Sequence, residues 1–260
     1  MINSLWISKT GMEAQQMQLD VISNNLANVS TNGFKKAHAV FEDLMYQNLR
    51  QVGSNTSEQS TLPTGLQVGL GVRTVATSRS FSQGNLQQSG NTLDVAVQGN
   101  GFFQLTMPDG TIGYTRDGAF QLDNAGRMVN SNGLLVAGGI TVPANATGLT
   151  IAQDGTVSAT VPGTTTPQNL GTITTASFIN PAGLDPKGQN VYAESVASGQ
   201  PNVGTPGVNG LGGLMQGFLE TSNVNVVQEL VTMIQTQRAY EMNSKAIQTS
   251  DQMLQKLGQL

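Results

Sequence analysis

Asn225-Val226-Val227-Gln228-Glu229-Leu230-Val231-Thr232-Met233 opens a stretch that runs to Leu257 without a glycine or a proline. Apolar or aromatic residues return every seven positions along it, at Val226, Met233, Tyr240, Ile247 and Leu254, with Leu230 between the first two. That period places the side chains on one stripe of an α-helix. Asn225 is positioned to cap the helix, with Gln228 at the third helical position and Glu229 beside it in the first turn. The other end of the chain repeats the pattern at Leu5, Met12, Leu19 and Leu26, with Ile22 between the last two. Gly11 is the only glycine before Asn32-Gly33 and no proline precedes Pro63, so a helix from about Asn3 to Asn28 is permitted and Asn32-Gly33 ends it. At about 1.5 Å per residue these helices extend roughly 40 and 50 Å. Their flanks carry amides at Gln15, Gln16, Gln18, Asn24, Asn25, Gln235, Gln237 and Gln248, which suits helix surfaces that meet further helices. The expectation is that both stripes bury against each other and against other copies of the chain.

Between the helices the pattern changes from period seven to period two. Short alternating or β-branched runs at 93–97, 102–107, 113–115, 119–122, 149–152 and 170–178 are punctuated by Asp109-Gly110, Asp117-Gly118, Asn124-Ala125-Gly126, Asn132-Gly133 and Asp154-Gly155. Such punctuation predicts hairpins. The segment 47–64 is polar, and glycines alternate with apolar residues from Gly65 to Val72, which reads as an extended connector. The fold class expected is α+β. Residues 1–33 form an N-terminal polymerisation helix, 34–95 an extended connector, 96–213 a β-rich domain of hairpins and 214–260 a C-terminal polymerisation helix, with the helices forming a coiled-coil-like tube layer.

Composition narrows the function. Charged residues are 11% of the chain, Asn, Gln, Ser and Thr together exceed a third, and the net charge is −4 with a pI near 4.9. No basic cluster exceeds Lys35-Lys36, so nucleic acid is not an expected partner. Cysteine is absent, which removes disulfides and thiolate metal sites. The first ten residues lack the pattern of a cleaved signal peptide, and no run approaches the roughly 20 apolar residues of a membrane helix.

Candidate chemistry is sparse. Asp109, Asp117, Asp123 and Asp154 could be offered as a glycosidase carboxylate pair, but three precede glycine directly and the fourth opens Asp123-Asn124-Ala125-Gly126, where turns use Asp for backbone reasons. That last run lacks the bidentate Glu of a calcium loop. Gly99-Asn100-Gly101 has no third glycine and no helix after it, so phosphate cradling is unsupported. His38 is the single histidine, with no cysteine or second histidine to share a metal. No catalytic, metal or cofactor site is expected.

Val21-Ile22-Ser23-Asn24-Asn25-Leu26-Ala27-Asn28-Val29-Ser30-Thr31-Asn32-Gly33-Phe34-Lys35 closely resembles the N-terminal signature of bacterial flagellar axial proteins, the rod and hook family, with Asn24, Asn25, Leu26, Ala27, Asn28, Gly33 and Phe34 carrying the motif. The run from Glu220 to Val226, then Glu229-Leu230 and Gln237-Arg238-Ala239-Tyr240-Glu241, resembles its C-terminal partner. Gly65 to Val72, Gly101-Phe102-Phe103 and Tyr114-Thr115-Arg116-Asp117-Gly118-Ala119-Phe120 extend the likeness over nearly the whole chain. Within the family, the length and the stretch 46–63 resemble the distal-rod branch, ahead of proximal-rod or hook-type members. The resemblance implies a non-enzymatic subunit, exported without a cleaved signal peptide by the flagellar type III export apparatus. It further implies a helical homopolymer in the periplasm-spanning basal body that meets proximal rod proteins, the hook protein, and the peptidoglycan and outer-membrane ring proteins. The residues left to carry the polymer interface are Leu5, Met12, Leu19, Ile22, Leu26, Val226, Leu230, Met233, Tyr240, Ile247 and Leu254. Rival readings are a secreted β-rich adhesin or phage-tail module trimerised by its helices, and an enzyme acting on cell-wall glycan.

Overall fold

The computed structural model describes residues 2–50, 55–57, 60–61, 64–163 and 166–258. The parts of the connector stretch at 51–54, 58–59 and 62–63 lie outside the described residues. The chain is α+β and divides into two units, one built from 1–26, 37–78 and 225–260, the other from 27–36 and 79–224.

The first unit holds both helices, α1 (Ile2–Ala27) and α2 (Val226–Leu257). The Asn225 side chain accepts from the backbone N–H groups of Val227 and Gln228, satisfying two donors that the first turn leaves free. Glu229 in the first turn and Lys256 in the last complement the helix dipole. Gly11 on α1 faces Asn243 on α2, where an added Cβ would fall 2.9 Å from the amide nitrogen. Asn25 faces Glu229 at 3.4 Å. Moving from Gly11 to Asn25 carries the contact back from Asn243 to Glu229, so the helices run antiparallel. Strand Ala37–Asp43 pairs with Val72–Arg79, and Tyr46–Arg50 forms an antiparallel ladder with Leu66–Gly69. The connector expected to be extended is therefore paired into β-structure. Gly71, at φ +115°, packs directly on Thr10, leaving no room for a side chain between loop and helix.

The second unit is the β-domain. Its nine-stranded sheet is centred on Phe102–Thr106, which pairs with Ile112–Thr115, Leu135–Val136 and Thr175–Ser177. Side chains alternate across a strand. Phe103 and Leu105 therefore enter a core with Val95, Phe120, Met128, Ile151, Val157 and Leu214, whereas Phe102 enters an aromatic cluster with Tyr114, Phe178, Tyr192 and Phe81 on the other side. The rings meet edge to face, as in Tyr114–Phe178 at 4.8 Å. A separate three-stranded sheet of Gly148–Ile151, Thr156–Thr160 and Gln168–Thr172 supplies Ile151 and Val157 to the same core.

Before it turns helical, the returning chain is woven into the start of this domain. Gly213–Gln216 pairs with Val95–Gln98, and Phe218–Glu220 pairs with Leu86–Gln88. Of the segment 214–260 assigned to the C-terminal helix, the helix itself is Val226–Leu257, starting directly after the expected Asn225 cap, and Gly213–Gln216 and Phe218–Glu220 ahead of it serve strands, with Gly217 at φ +75° between them.

Candidate assembly face and buried clasp

Within the first unit, the buried positions of α1 are Thr10, Ala14, Ile22 and Asn25, and Thr236 is the buried position of α2 among the described residues. Asn25 is the most committed of these. Its amide donates to Ala37 O at 2.8 Å and its Oδ1 accepts from Ala37 N–H at 3.0 Å, so one side chain replaces a rung of β-pairing at the end of the helix. These positions are small or polar apart from Ile22, which is 1% exposed. The larger apolar side chains of α2 lie outside instead. Val226, Leu230, Tyr240 and Leu254 are about two-fifths exposed, Val227 reaches 69%, and Met233 and Ile247 are half-buried. Leu5, Met12, Leu19 and Leu26 on α1 are half-buried. A helix that turns Val226, Val227, Leu230, Val231 and Ile234 to solvent has an uncovered apolar face along its first turns.

Within the second unit, three charged side chains are sealed from solvent. Lys35 is 0% exposed, Glu220 1% and Arg116 4%. Lys35 Nζ donates to Glu220 Oε1 at 2.6 Å and to Ser82 O at 2.7 Å, and the Gly84 N–H adds a second bond to the same carboxylate oxygen at 2.8 Å. Arg116 Nε lies 3.2 Å from Glu220 Oε2, an oxygen without an aligned hydrogen bond and held by charge. The rest of the guanidinium donates to Gly101 O and Gly99 O, each at 2.7 Å. Two cations thus share one anion away from water. Burial pushes the Lys35 ammonium below its ordinary range, with Glu220 opposing the shift. Gly33, at φ +67°, sits on this cluster and donates to Glu220 O at 2.8 Å. A Cβ there would fall 2.6 Å from Asp117 N, so only glycine fits.

The acidic residues weighed for catalysis serve turns. Asp109 accepts from Thr111, Asp123 from Arg127 and Asn124, and Asp154 from Thr156. These bonds hold all three carboxyls below their usual range, led by the Thr111 hydroxyl, the Arg127 guanidinium and the Thr156 N–H in turn. Among the described residues no group of three His, Cys, Asp or Glu gathers to hold a metal.

Three family models match the chain. They are flagella basal body rod protein over 6–35, flagellar hook protein FlgE/F/G D1 domain over 96–159, and flagellar basal body rod FlgEFG protein C-terminal over 215–260. The flagellar basal-body rod protein FlgG of Buchnera aphidicola is 58% identical over the full length of both chains. The proteins of the same description from Borreliella burgdorferi and Bacillus subtilis are 47% and 40% identical, each covering at least 97% of both partners. The chain belongs to the flagellar basal-body rod protein family.

The rod-family signature explains where the buried charges come from. Lys35 closes the N-terminal motif, Arg116 sits within 114–120 and Glu220 opens the C-terminal motif, so each of three signature segments delivers one charge to one point. Sequence reading quoted all three residues and gave none of them a role. Asp117, next to Arg116, is raised by burial, while its Oδ1 accepts from Ala119 N–H at 3.1 Å. Since Asn supplies the same acceptor, Asp117→Asn is expected to unfold at the parent temperature or slightly above it at pH 7. A carboxyl with a raised folded pKa favours the folded state more as pH falls through that value, so any advantage of the variant should shrink between pH 7 and pH 4. Thermal scans at the two pH values check this; a large loss at pH 7 would overturn it.

Proposed function

We propose that this chain is the distal-rod subunit of the flagellar basal body, assembling helically through its terminal helices into a stiff hollow shaft that carries torque to the hook. The observation that carries the reading is the uncovered apolar face of α2, in a chain whose full-length relatives are described as rod proteins. A surface of that kind on an isolated subunit calls for a partner, and contact between different faces of successive copies gives an open-ended polymer. Val226, Leu230, Met233, Tyr240, Ile247 and Leu254 would supply the α2 side of the seam, and Leu5, Met12, Leu19 and Leu26 the α1 side, with Ile22 supporting it from beneath. Because the α1–α2 contact inside one subunit is small and polar, the helices are expected to be mobile in solution and to order on joining neighbours. Expected partners are other copies, proximal rod proteins, the hook protein, the peptidoglycan and outer-membrane ring proteins, and the type III export apparatus that delivers the chain without a cleaved signal peptide. The location follows as the periplasm-spanning rod, with no enzymatic activity.

Stiffness is assigned to the connector 46–63. Among its described residues Tyr46 and Leu49 are exposed in a two-stranded ladder, an arrangement that is marginal in water unless something covers it. Bridging to an adjacent subunit would do so. Deleting 46–63 is expected to leave assembly intact and yield polymers that curve visibly more in electron micrographs. Polymers as straight as the parent would remove the connector from this role, and a closed trimer by light scattering at all concentrations would favour an adhesin-like module.

A further inference from the structure

The chain crosses between the second unit and the first at Ala27, Lys36, Arg79 and Val224. Hydrogen bonds join the last three of these exits to one another inside the second unit. The Lys36 N–H donates to Asn223 Oδ1 at 2.7 Å, the Ser80 N–H to Lys36 O at 2.9 Å, and the Asn223 amide to Ser80 O at 2.9 Å and Ser82 O at 3.2 Å. The Asn223 N–H adds a longer bond to Phe34 O at 3.4 Å. Three segments distant in sequence thus close a ring through one side chain. Directly behind the ring, Lys35 and Glu220 form the sealed ion pair, and Arg116 fixes Glu220 to the carbonyls of Gly99 and Gly101 within the β-domain.

We infer that this ring and the ion cluster behind it form a mechanical clasp, through which force arriving along the chain at 36, 79 and 224 is shared among three strands and passed into the β-domain. This deepens the proposed role as a torque-carrying subunit and rests on that reading. The argument is local. Force carried along the chain enters the unit at its covalent exits, and bonds that tie three of them together beside the exit points are loaded at the same time instead of in succession. Asn223 does the tying, since its amide has both a donor and an acceptor and spends them on different segments. Glu220 does the anchoring: with its partners dry, water cannot exchange for them as force is applied, and charge-assisted bonds are the stronger kind. An ordinary packing role for Asn223 would make its removal weaken the domain whichever way it is pulled.

Direction of pulling separates the two. The chain has no cysteine, so pairs of handles can be introduced singly. Full-length chain carrying Lys36→Cys and Val224→Cys is pulled across the clasp, and chain carrying Asp109→Cys and Asp154→Cys is pulled between turns of the β-domain, each with and without Asn223→Ala. The clasp predicts about a two-fold loss of rupture force in the first geometry and an unchanged force in the second. Asn223→Asp, which keeps the acceptor for Lys36 and loses the donors to Ser80 and Ser82, should fall between parent and Asn223→Ala. Equal losses in both geometries, or none in the first, overturn the clasp. These forces are read on single subunits, whereas assembly and curvature are read on polymers. A chain that ruptures as expected yet never polymerises would sink the rod reading alone.

Discussion

Glu220→Gln is expected to lower the unfolding temperature of the β-domain by roughly 10 °C. Removing one partner from a buried pair costs about 3–5 kcal/mol, because the group left behind stays charged and dry. Each kcal/mol moves the midpoint of a domain this size by about 2–4 °C. Glu220 stands at the upper end of that range because its loss strands two cations, Lys35 and Arg116, and the Gln amide that keeps an acceptor for Lys35 and Gly84 turns its NH2 towards the Arg116 guanidinium.

The same charge count predicts an asymmetry. Lys35→Met leaves Arg116 and Glu220 as a neutral pair and replaces an ammonium that burial already disfavours, so its loss should be less than half that of Glu220→Gln. Lys35 also gives the direction with pH. Its folded pKa lies below the unfolded value of 10.5, so the unfolded chain holds that proton more tightly and stability rises as pH climbs between the two values. Lys35→Met should remove the rise. Thermal unfolding followed by the β-domain signal, for both variants across neutral and mildly alkaline pH, tests the set. A Lys35→Met variant as damaged as Glu220→Gln would show that the cluster does not work by charge balance.

What the sequence disclosed, and what it withheld, divides along physical lines. Helix α2 was legible because its determinants are local: an Asn cap, a long span free of glycine and proline, and a seven-residue recurrence. The turns at Asp109, Asp123 and Asp154 were legible for the same reason, since each Asp bonds to a residue two to four positions on. The Lys35–Glu220 pair was not, because its members are separated by 185 positions and neither carries a local cue to the other. A weaker signal was present. In a chain with 11% charged residues, a lysine after Gly33-Phe34 and a glutamate after Phe218-Leu219 are charges in apolar company, which is where a buried pair is found. The lining of the α1–α2 contact was also out of reach, since periodicity gives an apolar stripe and says nothing about whether that stripe faces a neighbouring helix in the same chain or the solvent. Here Gly11, Asn25, Glu229 and Asn243 take the inner side.

That inversion decides which substitution tests assembly most cleanly. Leu26 and Ile247 are half-buried within the subunit, so Leu26→Asp or Ile247→Asp would disturb the subunit as well as any contact between copies. Leu230 is 42% exposed on the uncovered face of α2, where an exposed substitution changes subunit stability by only about 0.5 kcal/mol or less. In a closed seam between copies the same Asp would be an unpaired buried charge, worth about 3 kcal/mol or more against each contact. By the relation between free energy and equilibrium constant, the concentration needed for polymerisation should rise at least about 100-fold. Leu230→Asp is therefore expected to give a subunit with parental circular dichroism and unfolding temperature that stays monomeric in sedimentation at concentrations where the parent polymerises. Val227→Asp, at a position still more exposed, should behave alike if the seam covers the whole face and should polymerise normally if the seam is only the seven-residue stripe. Polymerisation of Leu230→Asp at the parental concentration would remove α2 from the contact between copies, and with it the reason for its apolar face.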